Sequence, residues 1–268
     1  MSQEIILIKL GGSIITNKEV PMMVRKKTLH RLVEEITRAR KKTKRLFILG
    51  HGQGSFAHVP AFRYKTMEGF INNESKMGMA ITQDNAAKLN RIVVEECLSQ
   101  NLPAVSFAFS NTLVTNKKQK QSWNSQVFEQ YLEKDLLPVT YGDVIVDSEQ
   151  GCTIWSTETI FSLLVEWLQQ ETDYQVKKVV HVNEVVGVLD NDGQVIPEIS
   201  QNNIDEVKKM MTETKGFDVT GGMWHKIKES LKLAEKKIET SIISGLMKDN
   251  LYQALTDQKY KGTRVIFK

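Results

Sequence analysis

Ile5-Ile6-Leu7-Ile8-Lys9-Leu10-Gly11-Gly12-Ser13 is an apolar run that ends in paired glycines. Leu46-Phe47-Ile48-Leu49-Gly50-His51-Gly52-Gln53-Gly54-Ser55-Phe56-Ala57-His58 repeats the arrangement. Apolar runs of this length without alternation mark strands buried on both faces of a parallel sheet. Glycines at the end of such a strand let backbone amides approach an anion with no Cβ in the way. Neither turn is a G-x-x-x-x-G-K-S/T phosphate loop or a G-x-G-x-x-G dinucleotide turn, which disfavours P-loop folds and standard Rossmann dehydrogenases.

Outward from these turns, strand-like and helical runs alternate. Strands are expected at residues 4–10, 45–50, 103–107, 138–146, 176–182, 241–244 and 263–267, and helices at 28–41, 82–100, 125–134, 157–170, 203–211 and 222–237. Leu29, Leu32, Val33 and Ile36 share one face of the first long helix. Asp190-Asn191-Asp192-Gly193 is a hairpin turn signal beside residues 186–189. The alternation predicts an α/β fold, a mainly parallel sheet covered on both sides. One domain, 1–268, is expected, with lobes at about 1–146 and 147–268. Ligands of such sheets bind beyond the carboxyl ends of the strands. Both glycine turns lie there, with Gly142-Asp143 and Val219-Thr220-Gly221-Gly222.

A length of 268 residues suits one large α/β domain, and a net charge of +4 is too mild for a nucleic-acid binder. The densest basic run, Arg38 to Arg45, falls at a helix end, where cations complement the macrodipole. Cys97 and Cys152 lie far apart without metal-type spacing, which favours inert thiols in a reducing, cytoplasmic setting. No apolar run approaches the roughly 20 residues of a membrane helix, and a first strand that starts at once leads us to expect no targeting segment. The expectation is a cytoplasmic protein with neither a nucleic-acid nor a membrane partner.

Lys9 stands inside an apolar strand, where its charge needs an anion or a route to water. Lys18 taken alone is an ordinary loop lysine. Lys226 falls one turn into a helix that begins near Thr220-Gly221-Gly222. A lysine there opposes the dipole at a position that attracts phosphate, although a lysine-rich helix surface accounts for it equally well. His58 closes the second glycine turn and can donate to a phosphate. His51 can serve instead, and either fits a buried structural histidine. Phe70, Met77, Met79, Ile81 and Phe109 suit an apolar pocket or plain core.

Ile8-Lys9-Leu10-Gly11-Gly12-Ser13, Lys18, His51 to His58, Gly142-Asp143-Val144 and Asp218-Val219-Thr220-Gly221-Gly222-Met223 with Lys226 resemble, in order, the amino acid kinase superfamily. The histidine after G-x-G-S-F and the D-V-T-G-G-M run point to its isopentenyl phosphate kinase branch and the related fosfomycin kinases. The resemblance implies a three-layer αβα sandwich with a mainly parallel central sheet. It implies transfer of the γ-phosphoryl of ATP, used with Mg2+, to isopentenyl phosphate, and a homodimer. Position by position, Lys9, Lys18 and Lys226 match lysines that neutralise the transferring phosphates. Gly11, Gly12, Gly52 and Gly54 match backbone donors, and His58 matches the histidine that holds the acceptor. Gly52, Gly54, Ser55, Gly142 and Asp143 fall with His58 at the acceptor. Gly11, Gly12, Ser13, Asn183, Glu184, Gly221 and Gly222 fall at the nucleotide, and no residue is assigned to a protein-held metal.

The chain departs from the family pattern at four places. Gln53 stands where the family usually has a third glycine, and Ala57 where it has another. The acidic S-G-D-D-like turn is Trp155-Ser156-Thr157-Glu158-Thr159, which leaves the carboxylate that organises the lysines at Glu158 or at the position of Thr159. T-D-V-D-G-V becomes Asn183-Glu184-Val185-Val186-Gly187-Val188. An isopentenyl phosphate kinase leads. A kinase for another small phosphate or phosphonate such as fosfomycin, and a catalytically weak nucleotide-binding regulatory homologue, are the alternatives.

Overall fold

The opening apolar run forms β1 (Glu4–Leu10), buried from Ile5 onward on both faces, which is why its residues do not alternate. The computed structural model describes residues 3–213 and 222–268. After β1 come a single helical turn, α1 (Gly12–Ile15), then α2 (Lys26–Thr43), β2 (Leu46–His51), α3 (Gly54–Arg63), α4 (Ser75–Ser99) and β3 (Ala104–Ser106). A hairpin, β4 (Leu113–Asn116) and β5 (Gln119–Trp123), leads to α5 (Gln126–Glu133), β6 (Leu137–Tyr141), β7 (Asp143–Asp147), β8 (Gly151–Trp155) and α6 (Thr157–Glu171). The chain continues with β9 (Gln175–Asn183), β10 (Glu198–Ile199), α7 (Ile204–Glu213), α8 (Gly222–Glu235), β11 (Glu239–Ser244), α9 (Asn250–Leu255) and β12 (Gly262–Val265).

Among the described residues, eight strands make one sheet in the order β10-β12-β11-β9-β1-β2-β6-β3. All its pairings are parallel except β11 with β12. Alternate residues of β1 serve two helical layers. Ile6, Ile8 and Leu10 pack with Leu29, Val33 and Ile36 of α2, Leu89 and Val93 of α4 and Leu251 of α9. Ile5 and Leu7 pack with Phe161, Leu164 and Leu168 of α6 and Phe128 of α5. The result is the three-layer αβα arrangement. Deleting a buried ring such as that of Phe161 removes roughly 3–5 kcal/mol.

Four strands form a second sheet, β5-β4-β7-β8. It corrects the expectation of one strand over 138–146. The chain bends at Gly142, so Leu137–Tyr141 joins the large sheet and Asp143–Asp147 the small one. A continuous apolar run carries no mark of that bend except its glycine. The hairpin at Asp190-Asn191-Asp192-Gly193 is present: Leu189 bridges Val195, and Asp190 Oδ1 accepts from Asp192 N and Gln194 N.

Candidate active site

β1 and β2 end side by side, with Leu10 opposite His51, so the two glycine turns meet. Gly12 and Gly54 touch backbone to backbone. A Cβ on Gly12 would stand 2.4 Å from Gly54 N, and one on Gly54 would stand 2.8 Å from Gly12 O. Gly54 also has φ +51°, a left-handed conformation that favours glycine. The turns run into α1 and α3, whose first amides have no intrahelical partner and favour anions. The amides of Gly11 and Gly52 are already engaged, donating to Val182 O at 2.8 Å and Leu10 O at 2.9 Å. Those two glycines therefore shape the turns, which corrects their expected role as donors.

A cavity of about 630 Å³ opens at this junction. Lys9, Lys18, Lys226, Glu158 and His58 all line it, with Gly11, Gly12, Ser13, Gly52, Gly54, Ser55, Gly142 and Asn183. Lys9 Nζ donates to Glu158 Oε1, and both side chains are buried. Burial alone would raise the Glu158 carboxyl. The charge and hydrogen bond of Lys9 outweigh it and hold the group well below the ordinary carboxylate range. Opposite Lys9 on β9 stands His181, 3% exposed. Its burial outweighs the attraction of Glu158 and, with the charges of Lys9 and Lys226, pushes the imidazole down to about 3, so it is neutral at pH 7.

His58 stands exposed on α3 at the rim. Desolvation at the cavity wall and then the charge of Lys18 lower its pKa. Ser55 is buried, and its Oγ has no hydrogen-bond partner among the described residues, although its amide donates to Thr16 Oγ1 at 3.1 Å. An unpaired hydroxyl in the wall of a cavity rich in lysines fits an anionic ligand. Gln53, which sequence reasoning noticed only as a missing glycine, lines the cavity and donates from Nε2 to Gly142 O. It ties the second glycine turn to the bend between β6 and β7.

The other sequence candidates lie elsewhere. His51 is fully buried, its Nδ1 3.1 Å from Gly52 O and its Nε2 3.2 Å from Asn90 Nδ2, and it stacks on Tyr141. Asp143 does not line the cavity. It is buried and accepts from Ser110 N at 3.1 Å and Val144 N at 2.8 Å. Glu184 is likewise outside the lining and pairs with Arg25 at 2.7 Å. Thr159 belongs to the start of α6, donating its amide to Ser156 Oγ at 3.1 Å, and the carboxylate that meets Lys9 is that of Glu158. Gly222 is the first residue of α8, and Gly221 lies outside the described residues.

The apolar lining is Pro21, Val59, Ala61, Met67, Ile154 and Trp155, none of them expected from the sequence. Of the expected set, Phe109 stacks on Trp123 in the core, and Phe70 and Met77 are exposed. Apolar identity alone cannot separate a pocket wall from a core or a surface. Among the described residues no group of three or more His, Cys, Asp and Glu is arranged to hold a metal ion. No helix among them is long and apolar enough to cross a membrane.

The Amino acid kinase family profile matches residues 4–244. Isopentenyl phosphate kinase from Methanocaldococcus jannaschii is 30% identical, covering 97% of this chain and 98% of that protein. The protein of the same name from Methanothermobacter thermautotrophicus is 31% identical with the same coverage. A crystal structure described as isopentenyl phosphate kinase superposes with a TM-score of 0.80 at 28% identity, covering 97% of this chain and 99% of that one. Carbamate kinase from Giardia lamblia, bound to AMP-PNP, shares the fold at 14% identity and a TM-score of 0.71. The likeness covers nearly the whole chain, and the family profile spans residues 4–244: the chain belongs to the amino acid kinase family.

Proposed function

We propose that the protein transfers the γ-phosphoryl group of ATP to isopentenyl phosphate, giving isopentenyl diphosphate and ADP. The observation that carries the reading is the gathering of Lys9, Lys18 and Lys226 in one cavity whose buried carboxylate, Glu158, is bound to Lys9. Such a cavity suits clustered phosphates. Support for the acceptor comes from relatives at 30% and 31% identity that are named isopentenyl phosphate kinase. The apolar wall of Val59, Ala61, Met67, Ile154 and Trp155 gives a hydrocarbon tail a place that a compact phosphonate does not need.

In this reading an acceptor phosphate oxygen forms a bond to the γ-phosphorus as the bond to the β–γ bridging oxygen breaks, and ADP leaves. The acceptor is already an anion, so no general base is required. Catalysis is positioning and charge stabilisation. Lys9, restrained by Glu158, and Lys226 on α8 face the transferring group. His58 donates an N–H to the acceptor phosphate beside Lys18 and Ser55. Gly12, Ser13 and Asn183 serve the nucleotide. Mg2+ would be carried on the ATP phosphates, its usual mode of binding, and would supply charge neutralisation there. The resemblance also supports a cytoplasmic location and a homodimer, and light scattering in solution tests the dimer.

An ADP-release assay with isopentenyl, dimethylallyl and geranyl phosphates and fosfomycin tests the proposal. Isopentenyl phosphate is expected to give the highest kcat/KM. Preference for fosfomycin, or no turnover with any acceptor, would overturn it.

A further inference from the structure

His181 is a polar residue buried in the middle of the large sheet. On β9 it shares a face with Val179, and its register partners are Lys9 on β1 and Ile242 on β11. Val179 and Ile242 are fully buried, and His181 is 3% exposed. Its Nδ1 is buried without a hydrogen-bond partner among the described residues. Buried polar atoms are paired in the large majority of cases, so each exception needs an explanation. A leucine would fill the same space with no polar atom to desolvate.

The exception stands beside the reacting groups, within electrostatic reach of Glu158, Lys9 and Lys226. Local violations of folding rules are expected at functional or strained sites. Lys9 and Lys226 repel each other, yet both face one cavity. A residue behind them must be polar enough to keep the Lys9–Glu158 pair in place and must not add a third positive charge. A neutral imidazole meets both conditions.

We propose that His181 is a positioning residue for phosphoryl transfer, backing the Lys9–Glu158 pair and fixing where Lys9 stands relative to Lys226. The inference rests on the kinase reading above. His181 does not line the cavity, so it acts through Lys9 and Glu158.

The test compares the wild type with His181→Leu and His181→Gln, in steady-state kinetics with ATP and isopentenyl phosphate and in thermal unfolding. In the leucine variant kcat is expected to fall on the order of tenfold or more, because misplacing a charge stabiliser slightly is costly in rate. KM for isopentenyl phosphate should stay within about twofold, since the acceptor contacts are untouched. Tm should be equal or higher, because the unpaired polar atom is gone. Glutamine keeps hydrogen-bonding ends and should recover part of kcat. Wild-type kcat in the leucine variant overturns the inference. So does a joint fall of kcat and Tm with glutamine no better than leucine, the signature of a structural role. If leucine prevents folding, glutamine decides: kcat below wild type at unchanged Tm supports the inference, and wild-type kcat overturns it. A wild type without turnover overturns the kinase reading and this inference together, whereas an active wild type with an equally active leucine variant overturns the inference alone.

Discussion

Lys9 Nζ donates to Glu158 Oε1 across 149 residues of chain, joining the end of β1 to the first turn of α6 inside the cavity. Lys9→Met is expected to lower kcat on the order of 10²–10³-fold, the usual effect of losing one preorganised charge stabiliser. It also strands a buried carboxylate, and removing one partner of a buried pair costs about 3–5 kcal/mol. Lys9→Met combined with Glu158→Gln should therefore regain stability in urea unfolding and remain inactive in ADP release. A double variant as unstable as Lys9→Met would show that the pair does not set that stability.

His58→Ala should weaken the acceptor and leave ATP alone. A hydrogen bond to a charged group is worth roughly 1.5–3 kcal/mol, so KM for isopentenyl phosphate should rise about ten- to a hundredfold. Desolvation and Lys18 keep the imidazole below its ordinary pKa, so the rise should persist at alkaline pH. A rise in KM for ATP instead would reverse the assignment of the two ends of the cavity.

Gly12→Ala tests the contact between the turns. The new Cβ would lie 2.4 Å from Gly54 N and 2.7 Å from Gly54 Cα, and backbone atoms cannot swing aside as a side chain can. Overpacking of this kind costs about 1–3 kcal/mol. Tm should fall, and turnover should fall further than Tm implies, because the two glycine turns that line the cavity are pushed apart. Unchanged kcat would mean that the turns need not touch.

Asp147 supplies a prediction outside the site. Its carboxylate accepts from the amides of Lys117, Lys118, Glu149 and Gln150 and from Thr115 Oγ1. Desolvation raises its pKa, but these bonds outweigh it and bring the group from 3.8 to about 2. The folded value lies below the unfolded one. Its stabilisation is therefore complete above about pH 4 and disappears as pH falls through about 2. The wild type's stability advantage over Asp147→Asn should shrink on acidification between those limits. An advantage that is constant with pH would remove the carboxylate's charge from the argument.

The central strands were legible because burial on both faces writes itself as an uninterrupted apolar run, as in Ile5 to Ile8. Lys9 was legible as the polar interruption of that run. The same logic would have found His181 within Val176 to Val182, but a histidine is less costly to bury than a lysine and drew no notice. The hairpin of β4 and β5 escaped because Gln119 to Ser122 are exposed and polar, with no apolar alternation to detect. α3 escaped because glycines and Pro60 interrupt its helical signal. Glu158 was legible as a carboxylate near the right turn, while its choice over Thr159 depended on which side chain faces the cavity, a matter of helix phase.

β1 lies between β2 and β9 in the large sheet. During synthesis β2 leaves the ribosome soon after β1, whereas β9 follows only after the second sheet and α6 have been made. One hydrogen-bonding edge of the most apolar strand thus stays open through the making of the greater part of the chain. An open apolar edge invites pairing with other chains, so the nascent protein is most exposed to aggregation before Gln175–Asn183 emerges. Refolding of the complete chain is then paced by that distant strand pairing, since long loops must close before their contacts can stabilise anything.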